Sequence, residues 1–238
     1  MSDPRTILVL RFSSIGDIVH TTSVIGTLKK YLPKSKIDFM TLSKFAPLLE
    51  GHPFINKIYA VDIDGGYKQL RQTGFEMEMM DYDLAIDLQS TTRSQIIRRG
   101  FISTKHVHIK KPRWNRFKLF AFHKNDFSKK FTVRTWLHEP IIELLPENFN
   151  IEPSKLLVSQ AEKNGVLKLL ANAGLHGKYF VVTPGAAWAQ KRWKAEQYAQ
   201  VIDQCATLYN TQAVLIGGNG DDICNMIKNH ADSKVVDY

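Results

Sequence analysis

Apolar residues fall along this chain in short β-branched runs, each followed by a stretch in which apolar positions recur three and four apart. Residues 7–10 read as a buried strand, and Ile18, Ile25, Leu28 and Leu32 then hold helical spacing up to Pro33. Residues 36–42, 57–61 and 82–88 repeat the strand pattern, with helical segments near 45–49 and over 66–80, and 107–109 is a fifth strand. Strands that alternate with helices, without tight hairpin turns, predict a parallel sheet with crossover connections. The first half is therefore expected to be a doubly wound α/β domain.

The rhythm breaks over residues 145–154, where two prolines and two asparagines fall without periodicity and suggest a linker. It then restarts. A helix over 159–173 ends at Gly174, and strands at 179–183, 212–216 and 234–236 enclose helices over 195–208 and 221–229. The organisation expected is a Rossmann-like domain over residues 1–150 and a second, partial one over 151–238. Three strands are about half of what such a sheet needs to cover both faces, so the second domain reads as truncated.

Composition narrows the class. With 44% hydrophobic residues the chain of 238 is globular, and no apolar run reaches the roughly 18–20 residues that span a bilayer. Two cysteines are too few for a disulfide framework or a zinc cluster, and the eight histidines show no metal-ligand spacing. A cytoplasmic protein without a metal or other cofactor is expected. The net charge of +9 has an address: residues 105–134 hold ten Lys and Arg against one acid, Asp126, so that segment carries the whole excess. Such a patch argues for an anionic partner, and Lys110, Arg113 and Arg116 are its central cations. Trp114 and the phenylalanines interleaved there are expected to pack inward, since Phe117, Phe120 and Phe127 on helical turns need burial. No nucleic-acid motif accompanies the patch, which sets a nucleic-acid partner aside.

Three turns could carry chemistry. The first, Arg11 to Asp17, joins the first strand to the first helix. There Ser13, Ser14 and Gly16 allow close backbone approach, and ligands favour the carboxyl ends of strands in open parallel sheets. Asp17 has two readings: a helix N-cap, or a general base acting on a hydroxyl. The second turn runs from Pro184 through Gly185 to Lys191, Arg192 and Trp193, and combines open backbone with the positive charge a pyrophosphate needs. The third, Gly217 to Asp222, could admit a nucleotide and place Asp221 or Asp222 on ribose hydroxyls, or be an ordinary turn with Asp221 as helix cap. Asp87, at the end of a strand, reads as a group that bonds turn amides.

Residues 7–22, 82–89, 184–193 and 214–218, in that order, resemble glycosyltransferase family 9, the lipopolysaccharide heptosyltransferases of GT-B fold. The resemblance implies a GT-B-like α/β protein of two Rossmann-like domains. It also implies an inverting transfer of heptose from a nucleotide-sugar such as ADP-heptose to a lipopolysaccharide-core acceptor, without a metal in the chemical step. It makes Asp17 the catalytic base, places Gly185, Lys191 and Arg192 on the donor phosphates, and brings Asp221 or Asp222 near the ribose. Ser13, Ser14, Gly16, Lys110, Arg113 and Arg116 would then face the acceptor, with the basic segment near acidic sugar, phosphate or the inner membrane leaflet. Ser23 and Lys194 stand where the family often has proline, and the family's later glycine-rich donor turn has no counterpart in these 238 residues. The competing class is a non-catalytic relative that holds an anionic glycan or a nucleotide.

Overall fold

The computed structural model describes residues 3–62, 65–127, 131–175, 177–186, 188–218 and 222–237. It comprises two compact units, Met1–Leu157 and Val158–Tyr238. The first holds strands β1 (Thr6–Leu10), β2 (Lys36–Leu42), β3 (Lys57–Val61), β4 (Leu84–Asp87) and β5 (Lys105–His108) in the order β3-β2-β1-β4-β5, every neighbour parallel. Helices α1 (Ile15–Tyr31), α2 (Gly66–Glu78) and α3 (Thr92–Arg98) cross between strands, and α4 (Arg113–Phe122) and α5 (Val133–His138) follow β5. A 3₁₀ segment, Ser43–Leu49, occupies the first position expected to be helical after β2. The fifth strand begins two residues before its expected start and ends at His108.

The strand period places the core. Ile7 and Val9 point to one face and pack with Ile25, Leu28, Phe39 and Ile86, while Leu8 and Leu10 point to the other and pack with Met40, Leu70 and Ile97. A central strand covered on both faces reads as an unbroken apolar run, which is why residues 7–10 carry no polar alternation. On the second face α2 and α3 touch backbone to backbone: a Cβ built on Gly100 would lie 2.5 Å from the carbonyl carbon of Gly74.

One face of α1 is polar yet buried, with Thr22, Ser23 and Thr27 all under 3% exposed. Residues 145–159, irregular throughout, provide the reason. The Ser23 hydroxyl donates to the Glu152 carbonyl, the Glu152 amide donates to Thr27 Oγ1 at 3.0 Å, and the Lys155 amide donates to Thr22 Oγ1 at 2.9 Å. Thr27 Oγ1 also lies 2.9 Å from His138 Nε2, while His138 Nδ1 lies 2.7 Å from the Arg134 carbonyl. Because that carbonyl only accepts, Nδ1 carries the proton, while the Thr27 hydroxyl donates to the Ser23 carbonyl at 2.9 Å. Burial pushes the His138 imidazole below its ordinary range, which suits this neutral tautomer.

The second unit holds β6 (Tyr179–Val182), β7 (Gln212–Leu215) and β8 (Val235–Asp237) in parallel order β6-β7-β8, with α6 (Gln160–Asn172), α7 (Ala195–Tyr209) and α8 (Ile223–His230). Ser159 caps α6, accepting from the Glu162 amide at 3.2 Å while Glu162 bonds back to the Ser159 amide at 2.7 Å. Gly174, at φ +76°, turns the chain out of that helix, a conformation glycine enters without penalty. Ile202, Ala213, Leu215 and Ile227 form the core between α7, α8 and the sheet, and Leu170, Val214 and Val236 form the α6 side.

The Gly74–Gly100 contact sets a stability test. Gly100→Ala is expected to destabilise the first unit by about 2 kcal/mol or more, since a rigid backbone faces the new methyl group. Gly165→Ala on α6, where nothing lies within 4 Å, should be neutral or stabilise by up to about 1 kcal/mol. Urea denaturation of the two variants beside the parent measures both.

Candidate functional site

Reading outward from β1, the strand order changes direction between β1 and β4: β2 and β3 extend one way, β4 and β5 the other. At such a switch point the loops diverge beyond the carboxyl ends of the strands and leave a crevice for a ligand. Here the crevice is about 360 Å³ and is lined by Phe12, Ser13, Leu42, Gln89, Thr91, Thr92 and Arg93. The Gln89 side-chain carbonyl accepts from the amides of Phe12 and Ser13 at 3.1 and 3.3 Å, tying the two loops together.

Arg11 organises the crevice wall. Its side chain, 7% exposed, donates from Nε to the Ser13 carbonyl at 2.8 Å, from Nη1 to the Leu88 carbonyl, and pairs through Nη2 with Asp17 Oδ2 at 2.5 Å. A cation this deep needs polar partners, and two carbonyls and a carboxylate supply one to each of its three nitrogens. Asp17 is not the N-cap of α1. Ser14 holds that place, and Asp17 stands three residues on, where Oδ2 accepts from the Ser14 amide and hydroxyl, each at 3.2 Å. The cap falls on Ser14 because its extended backbone precedes the first helical residue, Ile15. With 38% of its side chain exposed, Asp17 stays open to solvent. Partial burial raises its pKa, but the Arg11 guanidinium and the two Ser14 donors outweigh that and hold the carboxyl below its usual range. Gly16 faces open space, with nothing within 4 Å of a Cβ placed there, so the front of the α1 N-terminus is clear.

Beside this wall the chain leaves β5. Ile109 donates to the Asp87 carbonyl and Leu88 to that of Leu10, so β1, β4 and β5 end side by side. Lys111 is half-buried there: burial pushes its ammonium down, and repulsion by Arg11, Arg113 and Arg116 adds to this against the pull of Asp87. The structure thus brings Arg11, Asp17, Lys111, Arg113 and Arg116 to one edge of one sheet. Lys110 is exposed at the same exit, and its carbonyl accepts from Trp136 Nε1 at 2.8 Å. Asp87, fully buried, accepts from the Gln89 and Ser90 amides at 2.9 and 2.8 Å and lies 3.3 Å from Arg98 Nε, so it shapes the turn as expected. The cation-rich segment departs from expectation in one respect. No side chain of α4 is buried, and Trp114, Phe117, Phe120 and Phe122 are exposed, because the helix stands off the sheet rather than against it.

In the second unit Gly185 and Lys191 follow β6, both exposed, with Lys191 closing the 3₁₀ turn Ala189–Lys191. Arg192 Nε donates to the Ala186 carbonyl at 2.7 Å and so helps to fix the loop's shape. Asp222 is exposed at the start of α8 and makes no capping bond with its side chain, and Asp221 lies outside the described residues. Among the described residues no group of His, Cys, Asp and Glu could hold a metal ion. No described helix is long and apolar enough to cross a membrane.

Glycosyltransferase family 9 (heptosyltransferase) matches residues 71–237, well over half of the chain. The chain belongs to this family. The matched stretch takes in Gly185, Lys191, Arg192 and Asp222, whereas Asp17 precedes it. A family 9 glycosyltransferase of Veillonella parvula superposes with a TM-score of 0.83 at 19% identity, covering 100% of this chain and 70% of that one. An Escherichia coli heptosyltransferase solved with ADP gives 0.64 at 18% identity, covering 98% and 74%. These likenesses establish the GT-B-type α/β fold. The lipopolysaccharide heptosyltransferase 3 of Escherichia coli is 24% identical over 224 residues, 87% of this chain and 62% of that protein. The lipopolysaccharide heptosyltransferase 1 of Campylobacter coli is 31% identical over 94 residues, 39% of this chain and 28% of that protein. The chain thus spans less than two thirds of the length of either relative.

Arg11 and Gln89 are residues that reading from the sequence left without a role of their own, and Lys111 figured there only among the cations of the basic segment. Arg11 had a signal, since a charge directly after a buried apolar strand must find partners; the other two are visible only once the strand order is known.

Removing Arg11 tests the electrostatics of this candidate site. Asp17 has a lowered folded pKa, so its contribution to stability is present above the ordinary carboxylate range and fades as pH falls through the folded value. In Arg11→Met the Asp17 carboxyl should titrate at higher pH than in the parent, followed by the ¹³C shift of its carboxyl. Arg11→Lys should return part of the difference.

Proposed function

We propose that this chain is the sugar-transferring part of an inverting heptosyltransferase, moving a heptose from a nucleotide-sugar, ADP-heptose in the first instance, to an anionic lipopolysaccharide-core acceptor. The observation that carries the reading is Asp17. It is a carboxylate held ionised by Arg11 and Ser14, half open to solvent, at the switch point of a parallel sheet with a cluster of cations beside it. In the step proposed, an acceptor hydroxyl gives its proton to Asp17 as its oxygen attacks the anomeric carbon. The bond from that carbon to the donor phosphate breaks with inversion, and the nucleoside diphosphate leaves with the electron pair. A carboxylate of low pKa is a weak base towards a resting alcohol. It suffices when the proton moves late, after the attacking oxygen has begun to bond and become acidic.

Lys191 and Arg192, with the open backbone at Gly185, are assigned to the departing phosphates, where a cation offsets the growing charge. Asp221 or Asp222 is assigned to the donor ribose. Lys110, Arg113 and Arg116, with Ser13, Ser14 and Gly16, are assigned to the acceptor, whose phosphates and acidic sugars suit a cationic edge. Likeness to the heptosyltransferase solved with ADP supports the choice of nucleotide. An acceptor carried on lipid sets the reaction in the cytoplasm, at the inner face of the membrane.

Full-length protein, ADP-heptose and a lipopolysaccharide-core acceptor test the assignment. Asp17→Asn should lower kcat at least about 100-fold with ADP affinity unchanged. Lys191→Ala should weaken ADP binding about tenfold, the scale of one lost charged contact. NMR of the product should show the inverted anomer. Transfer undiminished in Asp17→Asn overturns its role as base, and ADP binding without transfer in the parent favours the non-catalytic class.

A further inference from the structure

The short helix after β5 has no core to serve. On α4, Trp114, Phe117, Phe120 and Ala121 share one arc of the helix, spaced three and four apart, with Arg116 on one flank and Lys118 on the other. An arc of this kind is what buries a helix against its own domain. Here it stays in water: Phe120 is 87% exposed, Trp114 63% and Phe117 50%. The rings gather on one another instead, Trp114 stacked on Phe117 at 5.4 Å and Phe117 edge-on to Phe122 at 5.9 Å. Lys118 Nζ sits 5.8 Å from the Trp114 ring. A cluster of exposed aromatics this dense costs solvation free energy in the isolated chain and marks a surface that is covered in use.

Charge selects what covers it. Lys118 and Lys124 share the single acid of the segment, Asp126, at 2.8 and 3.9 Å. Among the described residues Arg113 and Arg116 make no ion pair, so the cluster is ringed by cations in excess. A protein partner would have to be both apolar and acidic over the same few residues. An anionic bilayer offers both in layers, phosphate outside and acyl chains beneath, at the depth a helix lying in the interface reaches. We infer that α4 is an interfacial anchor, lying flat on an anionic lipid surface with Phe120, Phe117 and Trp114 inserted below the headgroups and Arg113, Arg116 and Lys118 on the phosphates.

The inference extends the reading of a lipid-borne acceptor but rests on α4 itself, so its test contains no acceptor and no donor. Full-length protein is sedimented with vesicles of phosphatidylglycerol and phosphatidylethanolamine, in low and in high salt. Binding is expected to weaken with salt and yet to persist in part, because insertion is unscreened while headgroup attraction is screened. Phe120→Ser should weaken binding about tenfold at both salt levels, the scale of one inserted ring. Arg113→Glu with Arg116→Glu should remove most of the low-salt gain. Lipids brominated in the acyl chains should quench part of the tryptophan fluorescence, and Trp114→Phe should abolish that quenched part while Trp136, Trp188 and Trp193 remain.

Equal binding by Phe120→Ser and the parent, or bound protein without acyl-chain quenching of Trp114, overturns the anchor. So does a Phe120→Ser variant that dissociates a dimer or lowers the melting temperature, since either places protein over the rings. Vesicle binding that persists when transferase activity is absent leaves the anchor standing and removes the catalytic reading alone.

Discussion

The first unit turns on a guanidinium that cannot be left without partners. Arg11 directly follows β1, whose residues 7–10 are all apolar and fully buried, and its side chain is carried into the protein behind them. Two carbonyls and the Asp17 carboxylate answer its donors, one from its own turn and one from the end of β4. The shape of the crevice wall and the ionised state of Asp17 both follow from meeting that demand. Gln89 completes the tie from the opposite loop. Removing a buried charge's partner costs far more than the pair itself contributes, which makes this junction stiff.

Most of the fold was legible in the apolar rhythm, and the reasons are local. A run such as residues 7–10 has no reading other than a strand covered on both faces, and Pro33 and Gly174 end helices by backbone chemistry alone. α3 and α5 escaped notice because each spans two turns or fewer, too short for a period to show. The fate of α4 was not legible for a different reason. Spacing tells which residues share a face, not whether the fold brings anything to that face. A pattern that elsewhere means core here means surface.

The candidate site divides in the same way. Asp17, Ser14 and Lys191 could be picked out by type and place, because a strand-to-helix turn is where parallel sheets hold ligands. What Asp17 does locally was misread, since a carboxylate near a helix start is equally at home at the cap and three residues beyond it. The bond of Arg11 to Leu88, or the nearness of Lys111 to Arg11, joins residues about eighty or a hundred positions apart. Only the order of strands makes them neighbours.

The irregular segment after Leu144 has a practical meaning for anyone dividing this chain. It looks like a tether, and a fragment ended at residue 150 would look tidy on paper. Such a cut strips Ser23, Thr22 and Thr27 of the partners that residues 152 and 155 provide, and uncovers the polar face of α1 that they bury. The first unit closes at Leu157. The strap along α1 is thus a seam of the fold, and an expression boundary drawn inside it would unravel the side of the sheet it holds shut.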